Sequence, residues 1–125
     1  MATLVSRERV VQYRPPSSSE WQAVVRMREK LKPYLPELEA KFRELERRYK
    51  SSEVYAHLVG VVAEKGFGRF EAFVLMQYFR FKKELLKSER YALQREYLER
   101  AGEDVEEGLK WLNAYRLAAY RASHR

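Results

Sequence analysis

Few side chains in this sequence are of a kind that could carry out a reaction. His57 and His124 are its only histidines, Asp104 is its only aspartate, and it has no cysteine. A nucleophile–base–acid triad, a thiolate zinc set or a carboxylate cage each needs several such groups converging on one point. His57 lies in a Val/Leu-rich helical stretch, where a core or surface histidine is the plain reading, and His124 is one residue from the end. Glu103 and Asp104 are explained as charges at a helix N-terminus. Gly66-Phe67-Gly68 follows no strand, has Glu71 where a third glycine would stand, and lacks a following Lys-Ser/Thr. It is therefore neither a dinucleotide fingerprint nor a P-loop. The chain reads as non-enzymatic, with no catalytic residue, metal ligand, cofactor or small-molecule substrate expected.

What remains is the chemistry of cations toward phosphate. The net charge of +7 is unevenly spread. Residues 1–32 carry Arg7, Arg9, Arg14, Arg26, Arg28, Lys30 and Lys32 against three acids; residues 108–125 carry Lys110, Arg116, Arg121 and Arg125 against none. Each end is +4 and the body between them is −1. A neutral body with two cationic ends suits an anionic partner: nucleic acid, an acidic membrane surface or an acidic protein. The bland alternative is that basic ends only aid solubility. Arg80, Lys83, Lys87 and Arg90 fall within about 80° of arc on an ideal helix, a row that could follow a phosphate backbone. Gln77 and Gln94 extend that face, while Glu84 beside it fits an ordinary solvated face. Arg43, Arg47 and Lys50 form a similar row, but Glu44 and Glu46 make it look like salt-bridged surface.

Aromatic residues are the other candidates for binding. Phe70, Phe73, Tyr78, Phe79 and Phe81 go almost all round one helix, which implies burial on every side, by a thick core or by a partner subunit. Tyr115, Arg116, Tyr120 and Arg121 interleave ring and cation near the C-terminus, a pairing suited to nucleic acid or to an interface. Trp21, Phe70, Phe73, Phe79, Tyr115 and Tyr120 are the expected subunit-interface residues.

These side chains must be positioned by helices, since no stretch alternates as a strand would. A short helix at 6–12, capped by Ser6, is stopped by Pro15-Pro16. Ser17-x-x-Glu20 is a capping box that opens a helix over about 18–32. Pro36 suits the first turn of the next helix, with Leu38, Phe42, Leu45 and Tyr49 on one stripe. Ser51-Ser52 either caps a new helix or lies within a continuous one, and Gly66 ends the pattern. The absence of Pro and Gly from 69 to 101 predicts one long helix, closed by Gly102. The acids at 103–107 then open a last helix, with Val105, Leu109, Leu112, Tyr115 and Ala119 as its buried stripe and Gly108 allowing close approach. The fold class is all-α: a bundle of about four helices at 18–125 preceded by a basic arm at 1–17.

At 125 residues the chain is long enough for one core. No apolar run approaches the roughly 20 residues of a membrane span, so no integral membrane contact is expected. One Asn, one Asp and one Thr alongside abundant Arg, Glu and Lys is a composition found in hyperthermophiles. A GC-rich genome would favour the same usage.

The basic arm with Arg7, Arg9 and Arg14, the break Pro15-Pro16-Ser17 and the Tyr/Arg-rich helices from Trp21 to Arg121 resemble, as a layout, the major capsid proteins of filamentous archaeal viruses. That resemblance implies arms that wrap double-stranded DNA without reading its sequence, bundles that pack outside, pairing with an identical or paralogous capsid subunit, and a place in the virion. Two other readings stand beside it. One is the small helical subunit of a CRISPR effector complex, also basic and nucleic-acid-binding. The other is a cytoplasmic helical adaptor that binds protein alone.

Overall fold

The computed structural model describes residues 12–124 and consists of helices joined by short turns, with no strand among them. The first helix, α1 (Ser18–Leu31), begins where the capping box places it: Ser17 Oγ accepts the Glu20 N–H at 3.1 Å, and the Glu20 carboxylate accepts the Ser17 N–H at 3.4 Å. Pro33 falls in a 3-10 turn, Lys32–Tyr34, that bends the chain into α2 (Leu35–Arg48), whose first turn holds Pro36. Tyr49 and Lys50 are extended, so Ser51-Ser52 opens a separate helix, α3 (Ser51–Ala63). Gly66, at φ +88°, closes it: the Gly66 and Phe67 N–H groups return to Ala63 O and Val62 O. Glycine tolerates this left-handed conformation without the clash a Cβ would bring.

The helix expected over 69–101 is two helices. α4 (Arg69–Arg80) ends at Phe81, which is extended; two 3-10 turns (Lys83–Lys87 and Glu89–Tyr91) lead into α5 (Ala92–Arg100). A single helix of that length would reach about 50 Å. No other helix exceeds the 19 residues of α6 (Val105–Ser123), so much of its apolar face would have had nothing to pack on. Folding back lets both halves bury their faces on α6. Ser88 marks the turn, its Oγ accepting the Arg90 N–H at 3.1 Å. Gly102, at φ +75°, ends α5, and Asp104 caps α6 by accepting the Glu107 N–H at 2.9 Å.

The paired helices α4 and α6 form the centre. α3 packs on α4, α2 on α3, and α1 and α5 on α6. Leu38 and Phe42 of α2, Leu58 of α3, Leu75 of α4 and Leu109, Trp111 and Leu112 of α6 are fully buried, each worth about 1.5–3 kcal/mol of apolar burial. Because α6 is enclosed on several sides, its buried set is wider than one stripe. Gly108, Asn113, Ala114, Arg116 and Ala118 are buried as well, whereas Ala119, expected inside, is exposed. Gly108 does permit close approach, since a Cβ there would sit 2.8 Å from Leu98 Cδ2. Glu107 bridges α4 and α6, accepting from Tyr78 Oη at 2.5 Å and Trp111 Nε1 at 3.1 Å. Burial first, then the Glu107 carboxylate, raises the Tyr78 phenol pKa above its ordinary value.

Among the described residues no helix is long and apolar enough to cross a membrane. Arg7, Arg9 and the expected helix at 6–12 lie largely or wholly outside the described residues.

Candidate nucleic-acid interface

The chain from Gln12 to Ser17, the described part of the expected basic arm, is docked on the body. Pro16 is buried, and the Tyr13 ring meets Tyr91 edge-on at 5.5 Å. The Gln12 carbonyl accepts from Gln94 Nε2 at 2.8 Å and from the Arg116 guanidinium, which also donates to Arg14 O at 3.2 Å. Arg116 is further engaged by Glu20: Nε to Oε2 at 2.8 Å and an Nη to Oε1 at 3.0 Å, a two-pronged pair. Burial pushes the Glu20 pKa up, but hydrogen bonds and charge from Arg116 and Arg14 outweigh it and hold the carboxyl below its usual range. Arg116 was expected to meet phosphate. At 6% exposure, with its donors committed inside the fold, it instead fastens the start of the described chain.

Other expected cations are also engaged internally. Arg14 pairs with Glu20 at 3.0 Å, Arg28 with Glu103 at 3.1 Å and Lys30 with Glu71 at 2.9 Å. Arg26 and Lys32 are exposed at the surface of α1 and the turn after it. Arg121 is exposed but lies over two rings, 4.7 Å from the Tyr55 centroid and 4.5 Å from that of Phe73.

The row Arg80, Lys83, Lys87 and Arg90 does not exist as a helix face, because the helix ends at Arg80. The fold nevertheless keeps these residues together. The stretch from Arg80 to Arg90 carries five cations, the fifth being Lys82, against Glu84 and Glu89. Lys82, Lys83, Lys87 and Arg90 are exposed, Lys83 has Glu106 at 3.9 Å, and Arg90 lies over the Tyr13 ring at 5.9 Å. Arg80 lies over the Phe42 ring and reaches Ser51 O at 3.5 Å. Arg80 and Arg90 line one cavity, with Tyr13, Phe81 and Tyr91 also in its walls. Lys82 was missed by a helical-wheel reading, which pointed it away from the others; as part of an irregular connection it joins them.

The expected interface aromatics divide. Trp21 and Phe79, each 6% exposed, belong to the core and are closed to a partner, because α1 and α4 turn those faces inward. Phe70 and Tyr115 are half-buried against one another, edge-on at 5.5 Å, and Phe73 is half-buried against Tyr55. Tyr120 is exposed and stacks on His124 at 3.9 Å. The all-round aromatic pattern of α4 therefore reflects its place between α3 and α6. His57 is on the surface, stacked on Tyr49 at 3.7 Å. Gln94 is fully buried, so it is no extension of a basic face.

No protein-family model, curated protein or solved structure matches the chain.

Proposed function

We propose that this protein is a non-catalytic nucleic-acid-binding protein that coats its ligand without reading sequence and assembles along it. The carrying observation is the Arg80–Arg90 connection, where five cations face two acids on one largely exposed stretch. Cations so arranged hold phosphates and carry no base preference of their own. Arg26 on the exposed side of α1 and Lys32 in the turn after it, together with Arg7 and Arg9, add further positive charge. Leu85 and Leu93, 41% and 53% exposed in the connection and the first turn of α5, together with Tyr120, offer apolar contact to a second copy. Many weak subunits on one polymer bind by avidity. A capsid protein of a filamentous archaeal virus, coating double-stranded DNA within the virion, is the form of this reading that the layout of arm and bundle supports.

The test is binding of the full chain to fluorescent DNA of arbitrary sequence across a salt series. The wild type should bind with a steep, sequence-independent salt dependence. Replacing Lys82, Lys83 and Lys87 by Glu should flatten the log–log slope by about 2–3, at roughly 0.9 per duplex phosphate contact. Absence of binding to any nucleic acid at low salt would overturn the reading.

A further inference from the structure

Two arginines converge on one small cavity with no acid to answer them. The cavity measures about 120 Å³ and lies where the start of α4 meets α3 and the end of α6. That is well under the roughly 300 Å³ at which small-molecule sites begin, so it has room for a phosphate group and little more. Arg69 and Arg121, both exposed, line it together with Tyr55 and Phe73. Arg121 lies over both rings, at 4.7 and 4.5 Å, and Arg69 lies over Tyr55 at 5.7 Å. The two charges therefore stand no farther apart than their distances from the Tyr55 ring laid end to end.

Tyr55 is itself fixed, its Oη donating to Arg69 O at 3.3 Å and its ring edge-on to Phe73 at 5.7 Å. A ring engages the flat face of a guanidinium and leaves the N–H groups at its edge to other acceptors. The fold supplies none: no carboxylate lines the cavity, and among the described residues neither guanidinium forms an ion pair or a hydrogen bond. Arg28, Arg43, Arg48, Arg100 and Arg116, by contrast, each face a carboxylate. Glu71, the acid in the first turn of α4, is taken by Lys30. Two like charges over one ring repel each other, and an anion held between them turns repulsion into attraction.

This cavity opens on the same face as the basic connection. Apart from Glu71, the residues of α4 that are not buried are Arg69, Phe70, Phe73, Gln77 and Arg80, and each lines either this cavity or the one bounded by Arg80 and Arg90. Phe70, Phe73, Gln77 and Arg80 recur at spacings of 3, 4 and 3, one stripe of the helix. α6 runs antiparallel beside that stripe, with Arg121 over Phe73 and Trp111 stacked on Tyr78 at 4.3 Å. The seam between the two helices thus has Arg69 and Arg121 at one end and Arg80 with the connection at the other, roughly 16 Å away at about 1.5 Å per residue. That reach suits phosphates on the two lips of a duplex groove about 12 Å wide.

We infer that Arg69 and Arg121 together hold one backbone phosphate of duplex DNA, so that the α4–α6 seam lies across the duplex with a phosphate contact at each end. The inference rests on the nucleic-acid reading above and deepens it, naming the face that meets the ligand and a contact remote from the connection. Holding phosphates at two points fixes orientation without reading sequence.

The full-length protein, Arg69→Gln, Arg121→Gln and the double variant, each checked for folding by circular dichroism, are titrated with a labelled duplex of arbitrary sequence across a salt series. The double variant should lower the log–log slope by about 0.9, one phosphate's worth, and each single variant by most of that, because both side chains hold the same group. Gln77→Glu, midway along the seam, sets an acid against the duplex and should weaken binding at low salt at least about tenfold, whereas Ala40→Glu, exposed on α2, which lines neither cavity, should change it less than about twofold. A double variant with the wild-type slope overturns the inference; if replacing Lys82, Lys83 and Lys87 still flattens that slope, the nucleic-acid reading stands without this site. A slope lowered by about 1.8 puts the two arginines on different phosphates and overturns the shared contact. Equal losses from Gln77→Glu and Ala40→Glu overturn the placement of the seam, since net charge then accounts for both. No binding of the wild type to DNA at low salt removes both readings.

Discussion

Arg116 and Glu20, 96 positions apart, face each other in a two-pronged ion pair with Nε–Oε2 at 2.8 Å, and the same guanidinium holds the carbonyls of Gln12 and Arg14. One buried side chain thus joins α6, the cap of α1 and the chain before it. Removing one partner of a buried pair leaves the other charged and unmatched, at a cost of about 3–5 kcal/mol. Arg116→Met should therefore destabilise the fold by that order in urea unfolding, while Arg26→Met, on an exposed position, should change stability by less than about 0.5 kcal/mol. A near-neutral Arg116→Met would show that the pair does not organise the fold.

The same pair makes an acid-labile joint. The folded-state pKa of Glu20 lies below its ordinary value of 4.5, and that of Glu71 is lowered too: burial raises it, but the Lys30 hydrogen bond and the N–H groups at the start of α4 outweigh this. A depressed carboxyl pKa contributes stability that is fully present above the ordinary value and lost as pH falls through the folded value. Thermal stability should accordingly be flat near neutrality and drop below about pH 4.5. In Glu20→Gln the drop should be shallower, starting from a lower plateau. An unchanged acid limb would mean that other carboxylates govern it.

Two glycines should respond in opposite directions to alanine. At Gly108 a Cβ would sit 2.8 and 3.0 Å from the methyls of Leu98, a fully buried side chain that would have to shift. Overpacking of about 1–3 kcal/mol should outweigh the helix propensity gained, roughly 1 kcal/mol. At Gly60, on the exposed side of α3, nothing lies within 4 Å, so Gly60→Ala should stabilise by about 0.5–1 kcal/mol. Denaturant midpoints of the two variants check the signs.

What the sequence disclosed was local. Ser17-x-x-Glu20, Pro36, Gly66, Gly102 and Asp104 each act within a turn, and each stands where its chemistry requires. The end of α4 at Arg80 was hidden because no residue forbids a longer helix there; only the limited reach of the helices it packs on makes folding back favourable. Ser88, the one good capping residue between 69 and 101, was the sole local hint. Composition likewise placed cations at the two ends without showing their partners. Arg116 and Arg121 read alike beside their tyrosines, yet one is buried against Glu20 and the other lies exposed over Tyr55 and Phe73. Asn113 carried no motif at all, and that its Oδ1 is buried without a partner follows only from the packing around α6.

The docking of Gln12–Ser17 separates two roles that a single basic arm would have combined. Deleting residues 1–16 removes the Gln12 and Arg14 carbonyls, leaving donors on Gln94 and Arg116 without partners, and uncovers the site of Tyr13 on Tyr91. At about 1–3 kcal/mol for each buried donor left unpaired, this deletion should cost roughly 2–5 kcal/mol. Deleting residues 1–11 keeps those carbonyls and should preserve most of the stability, while removing Arg7 and Arg9 and so flattening the salt slope of DNA binding by about 1–2. Unfolding and binding measured on both truncations separate the two effects. If the shorter truncation unfolds the bundle as far as the longer one, the anchor lies upstream of Gln12 and not in its carbonyl. If it leaves the salt slope unchanged, Arg7 and Arg9 do not touch phosphate, and the Arg80–Arg90 connection carries the contact without them.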